Sequence, residues 1–153
     1  MSDDQQALRA RFADLRGNER RLRRPPPDGQ GGEMLAEGYR LVCDTQAAGH
    51  HLQALLVRGD YSGPLPPGDH GVLVLDPPEV NRLTGFGDMR EMAGLFPRPP
   101  DADPRALVGA ARRLLVLEGV ANPANVGTII RSAAALGMDA TLVGPGSGDP
   151  LGR

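Results

Sequence analysis

The sequence holds no tryptophan, no lysine and one cysteine, and only five of its 153 residues are Phe or Tyr. So few aromatic rings exclude a platform on which successive bases of a single strand stack, and leave stability to aliphatic packing. The single Cys43 excludes an internal disulfide and a cysteine-based zinc site, and suits a reducing compartment such as the cytoplasm. No stretch approaches the roughly 20 apolar residues that cross a bilayer, and the first residues lack the apolar core of a secretory signal. A formal net charge of −2 excludes a globally basic nucleic-acid binder. All 17 basic residues are Arg, a bias that, with 21 Gly and 15 Pro, fits GC-rich coding as well as any demand for guanidinium chemistry.

The charge is nevertheless uneven. Seven arginines lie between Arg9 and Arg24, against only Asp14 and Glu19. This cluster, with Arg20, Arg21, Arg23 and Arg24 at its end, can neutralise phosphates, each contact adding salt dependence to binding. It can equally be the solvated face of a basic arm. The repeat of Leu8, Phe12 and Leu15 predicts a helix from Gln5 to Arg24, ended by Pro25, Pro26 and Pro27 and followed by a glycine-rich loop from Asp28 to Gly32.

Further along, Met34 to Ala36 reads as a strand that passes through Glu37 and Gly38 into a helix from Tyr39 to Ala48, ended by Gly49. Leu52 to Val57 and Gly71 to Leu75 read as buried strands, Pro77 to Leu83 as a short helix, and Met89 to Phe96 as the last strand before a stiff linker, PRPPDADP. The linker sets a domain boundary near residue 100. His50 and His51 open a strand, where neighbouring side chains point to opposite faces, so no metal site is expected from them. Cys43, within an amphipathic helix and without an evident His or Asp partner, reads as a packing residue.

The most informative stretch is LLVLEGVANPANVGTIIRSAAALGMDATLVGPG. Leu114 to Leu117 is an unbroken apolar run, the pattern of a strand covered on both faces. Asn122 is placed to cap a helix whose first residue is Pro123. Val126, Ile129, Ile130, Ala133 and Ala134 make one apolar helical face. Gly137 ends the helix, and Ala140 to Val143 is the next strand. A βαβ unit takes its ligands at the carboxyl ends of its strands, here the loop from Glu118 to Ala124. Asn125 and Arg131 lie off the apolar face near that loop. By spacing alone they read equally as a ligand-facing pair or as a capping residue and a solvated arginine. The GPGSG loop after Val143 has neither a Walker lysine nor a GxGxxG pattern and reads as a plain turn.

The run LEGVANPANVGTIIRSAAALGMD resembles the first motif of the SpoU/TrmH family, RNA ribose 2′-O-methyltransferases of the knotted SPOUT class. The resemblance rests on Glu118 and Gly119 after a strand, then Asn-Pro, then Asn-Val-Gly with Arg six residues after the second Asn, then Gly-Met-Asp. EMLAEGYRLV, from Glu33 to Val42, is similar to the Glu-Gly segment of the RNA-binding domain that commonly precedes the knot. GDPLGR is similar to the segment after the second strand of the knotted domain, and the two later motifs with the threaded segment are expected to be missing, so that the chain reads as C-terminally truncated.

What the resemblance implies is an α/β protein. Residues 1–100 would form an α/β/α RNA-binding domain with a basic N-terminal helix, and residues 101–153 the first βαβ unit of an incomplete SPOUT, Rossmann-like domain. The implied reaction moves a methyl group from S-adenosylmethionine to a ribose 2′-hydroxyl of structured ribosomal or transfer RNA, in the cytoplasm, by an enzyme that is a homodimer when full length. Arg131 would act at the reacting nucleotide with Asn125 beside it. Arg40 would join Arg20, Arg21, Arg23 and Arg24 in contacting RNA, and the cofactor-binding residues are expected beyond Arg153. The alternative is a non-catalytic RNA-binding module, because two strands and one helix do not complete a sheet.

Overall fold

The strands of the first half carry apolar residues on both faces, and helices cover each face. In the computed structural model, which describes residues 3–16 and 32–151, the chain divides into two compact units, Met1–Arg98 and Pro99–Arg153. The first contains α1 (Asp3–Arg11), β1 (Glu33–Glu37), α2 (Tyr39–Ala47), β2 (Ala54–Arg58), β3 (Gly71–Leu75), α3 (Pro77–Thr84) and β4 (Met92–Pro97). Its sheet runs β1-β4-β2-β3, with β4 antiparallel to both β1 and β2, and β3 parallel to β2.

Period-two alternation decides what each face meets. Leu35, Ala54, Leu56, Leu73, Ala93 and Leu95 join Phe12, Leu15, Val80 and Phe86 in one buried cluster beneath α1 and α3. On the opposite face α2 packs against β1 and β4. Gly94 permits its approach: a side chain there would come within 2.8 Å of Leu52 and 3.3 Å of Val42. The expected α/β/α layering is therefore present.

Three expectations need correction in this unit. The helix predicted to Arg24 ends at Arg11, and residues 17–24 lie outside the described residues. Phe12 and Leu15 are buried, as their spacing suggested, but by a turn in which Asp14 takes a positive φ of 51°. That turn lets the Asp14 and Arg16 amides donate to the carbonyls of Leu83 and Thr84 at 2.7 and 3.0 Å, satisfying acceptors that α3 leaves open at its end. The strand β3, expected to be buried, lies at the sheet edge, where only Leu73 is enclosed and Val74 is 57% exposed. His50 and His51 precede β2 in irregular chain, so strand alternation does not govern them.

The second unit holds α4 (Pro104–Ala110), β5 (Leu114–Leu117), α5 (Pro123–Ala135) and β6 (Ala140–Val143). Asp103 Oδ1 accepts the Arg105 amide at 3.0 Å and caps α4. Strands β5 and β6 are parallel, pairing Leu114 with Ala140 through Leu117 with Val143. The two-sided cover expected for β5 is not found. Of its four residues only Leu117 is buried and Val116 is 59% exposed, because among the described residues the sheet has just two strands. Val126 and Ala133 give α5 its buried line, and Gly137, at φ 75°, ends it as the sequence predicted. Among the described residues no helix is long and apolar enough to cross a membrane.

Candidate functional site

The loop at the carboxyl end of β5 delivers the chain into α5. Gly119, at φ 69°, turns it. Asn122 Oδ1 then accepts the Ala124 amide at 2.9 Å, while its carbonyl accepts the Asn125 and Val126 amides at 3.1 Å. Pro123 fills the first helical position, where no N–H is needed. The cap is thus Asn122, which leaves the exposed Asn125 side chain without that task.

Arg131 is also exposed, and its guanidinium folds back toward the start of the helix. Nη2 donates to Thr128 Oγ1 at 3.1 Å, and that hydroxyl donates to the Ala124 carbonyl at 2.9 Å. A side chain at Gly127 would meet Arg131 Nη1 at 3.6 Å, an ordinary van der Waals contact. Asn125 thus stands in the first turn of α5, while the Arg131 guanidinium reaches back from the third turn as far as Thr128. Helix N-termini carry partial positive charge, and a guanidinium stays protonated at ordinary pH. The arrangement suits a phosphate or a developing alkoxide.

The loop after β6 proves to be more than a plain turn. Gly144 and Gly148 donate to the carbonyls of Leu117 and Val120 at 2.7 and 2.8 Å, and Gly119 donates to Pro145 at 3.1 Å. Ser147 Oγ accepts the Val120 amide at 3.2 Å and donates to the Leu117 carbonyl at 3.4 Å. Asp149 is buried and accepts the Leu151 amide at 3.1 Å. The bonds of Gly144, Pro145, Ser147 and Gly148 zip residues 144–148 to residues 117–120 and so fix the entry to α5. Sequence reasoning passed over Ser147 and Asp149, because their partners are 27 or more residues away or depend on the loop's own folding; the one local signal was the density of Gly and Ser. At Gly148 the zipped loops leave no space even for a methyl group.

Of the arginines expected to meet RNA, Arg20, Arg21, Arg23 and Arg24 lie outside the described residues. Arg40, in the first turn of α2, has a side chain 94% exposed and approaches Asp44 at 3.7 Å. An exposed pair of this kind contributes little to stability, so Arg40 is available to a ligand. Cys43 is a half-buried free thiol. Among the described residues no three His, Cys, Asp or Glu side chains are grouped so as to hold a metal ion.

The titration of His70 is shifted. Burial lowers its pKa, Asp69 opposes that change, and a charged His51 would reinforce it. A proton then binds the unfolded chain more readily than the folded one, so stability falls as pH drops through the ordinary histidine value near 6.5. We expect the melting temperature of the first unit to decline between pH 7 and pH 5, and His70→Asn to flatten that decline. An unchanged slope in the variant would show that other groups carry the dependence.

No protein-family profile matches the chain. It is 40% identical over 72 residues to an uncharacterised tRNA/rRNA methyltransferase of Mycobacterium bovis, an alignment covering 47% of this chain and 25% of that protein. It is 41% identical over 46 residues to the rRNA 2′-O-methyltransferase RlmP of Bacillus subtilis, covering 30% of this chain and 18% of that one. The solved structure of the methyltransferase AviRb from Streptomyces viridochromogenes, in complex with AdoMet, superposes with a TM-score of 0.65 at 19% identity, covering 99% of this chain and 56% of AviRb. The chain thus spans a quarter or less of these two relatives and about half of the solved structure.

Proposed function

We infer, for a chain that has the fold of the SpoU/TrmH methyltransferases over about half their length, a part in ribose 2′-O-methylation of ribosomal or transfer RNA. What supports this reading is a pair of exposed side chains on α5, Asn125 in its first turn and Arg131 with a guanidinium that reaches back to Thr128, together with a helix cap supplied by Asn122 rather than Asn125.

A ribose 2′-hydroxyl is a poor nucleophile and must be held in line while its oxygen gains negative charge. Arg131 is suited to stabilise that charge or to grip the adjoining phosphate, and unsuited to remove a proton, because it keeps its own. Asn125 offers both a donor and an acceptor for orienting the ribose. The methyl group would come from S-adenosylmethionine, whose pocket requires residues other than those described here. In this reading the first unit grips structured RNA through Arg40 and the basic segment from Arg20 to Arg24, the working form is a homodimer, and the location is the cytoplasm.

The open two-stranded sheet of the second unit favours a second reading, in which the chain as given binds RNA without catalysis. Calorimetric titration with S-adenosylmethionine, beside RNA binding measured across salt concentrations, separates the two. We expect RNA affinity to fall steeply and linearly on logarithmic axes as salt rises. Cofactor binding would require another chain to complete the pocket and would favour catalysis. RNA binding alone would favour the module, and absence of RNA binding would defeat both.

A further inference from the structure

Two hydroxyls at exposed positions of α5 are bonded to the helix backbone. Thr128 Oγ1 donates to the Ala124 carbonyl at 2.9 Å, and Ser132 Oγ donates to the Thr128 carbonyl at 3.1 Å. A hydroxyl has a single proton, so each such bond leaves the oxygen only lone pairs to offer a neighbour and makes it an acceptor. Residues three apart on a helix are neighbours. Three positions beyond Ser132 stands Ala135, whose side chain donates nothing; three beyond Thr128 stands Arg131, whose Nη2 donates to the hydroxyl at 3.1 Å. The threonine is also the stiffer of the two. Its branched Cβ leaves few χ1 rotamers in a helix, and the bond to Ala124 selects among them. Two hydrogen bonds thus run in series from a carbonyl in the first turn of α5, through Thr128, to the guanidinium, whose Nη1 lies over Gly127.

We propose that Thr128 is a positioning residue for Arg131, its hydroxyl acting as a fixed acceptor that holds the guanidinium back along α5 before any RNA arrives. This rests on the methylation reading above and adds to it the group that aims the arginine. An arginine on an open surface samples many rotamers, and ordering it when a ligand arrives costs affinity. One held in advance avoids that cost, and its orientation counts again when the ribose oxygen must be met in line. The bond at Thr128 occupies one N–H of Nη2, and the rest of the guanidinium fork stays open to a phosphate or an alkoxide. Thr128 itself is a poor anion ligand: its proton is committed to Ala124, and its lone pairs repel a phosphate oxygen. It therefore serves the anion through the arginine. Because Thr128 and Arg131 are both exposed, their contact adds little to stability, and the hydroxyl can be removed without unfolding the second unit.

The test uses the full chain and three variants. Thr128→Val removes the hydroxyl and keeps the branched shape, Thr128→Ser keeps the hydroxyl, and Ser132→Ala removes a back-bonded hydroxyl to which no arginine is attached. In NMR spectra without RNA, Overhauser contacts between the Arg131 side chain and the Gly127 α protons are expected in wild type, Thr128→Ser and Ser132→Ala, and are expected to fall at least about threefold in Thr128→Val. Against an RNA hairpin, Thr128→Val is expected to weaken affinity about three- to tenfold, the range set by ordering one flexible side chain. The salt slope should be kept, because the charge is still there, whereas Arg131→Ala should reduce it by about one. In an Arg131→Ala background, Thr128→Val should cost nothing further. Overhauser contacts unchanged in Thr128→Val would overturn the proposal. So would an equal loss of affinity with and without Arg131, or a Thr128→Ser variant as weak as Thr128→Val. If the contacts respond as expected and wild-type chain binds no RNA, the functional reading falls and the hold of Thr128 on Arg131 stands.

Discussion

Arg131→Ala is expected to lower methyl transfer by about a hundredfold or more, in any assembly of this chain that is competent for methylation, while leaving thermal stability nearly unchanged. On the proposed role, the rate effect follows from removing a fixed positive group at the site of developing negative charge, a loss of about 10²–10³ for comparable donors. The absence of a stability effect follows from the surroundings. Arg131 is exposed, and its one hydrogen bond goes to the equally exposed Thr128 hydroxyl; surface replacements of this kind stay within about 0.5 kcal/mol. Arg131→Lys is informative beside it. Lysine keeps the charge but lacks the planar fork, so a partial rescue would indicate a point-charge role and no rescue would indicate paired hydrogen bonds to phosphate or ribose. Methyl incorporation near the wild-type rate in the alanine variant, measured with labelled cofactor and RNA, would remove Arg131 from the chemistry.

The local devices around that arginine could be read from the sequence because each acts within one helical turn. Asn122 and Pro123 start α5, Gly137 stops it, and the apolar spacing places Val126 and Ala133 inward. Other features depend on distant partners and left no local trace. The turn at Asp14 exists because the end of α3, some seventy residues later, offers carbonyls to its amides. The apolar run Leu114–Leu117 carries the composition of an enclosed strand, yet Val116 is exposed, since enclosure depends on neighbouring layers and a run of residues cannot report them. His50 and His51 share a cleft with His70 because they precede the strand and escape its alternation.

Gly148→Ala should damage the second unit more than any other single methyl group we would place there. A Cβ at this position would lie 2.8 Å from the Pro123 nitrogen and 2.9 Å from both the Ala121 oxygen and the Pro123 Cα. All three are backbone atoms, so no side chain can swing aside and the two zipped loops must separate. Overpacking against movable neighbours already costs about 1–3 kcal/mol, and here the neighbours cannot yield. The buried apolar side chains of this unit are Leu117, Val126 and Ala133, a small reserve against such a loss. Amide exchange should therefore quicken at Val120 and Gly148, whose hydrogen bonds close the zip, and through the first turn of α5 that carries Asn125, while the strands of the first unit keep their protection. Gly109→Ala is the matched control: it lies in α4, nothing stands within 4 Å of its added methyl, and the exchange of a helical glycine for alanine should stabilise by up to about 1 kcal/mol. If Gly148→Ala left the Val120 and Gly148 amides as protected as before, the loops would be looser than their contacts indicate, and the fixed entry to α5 that the proposed roles of Asn125 and Arg131 require would have no structural support.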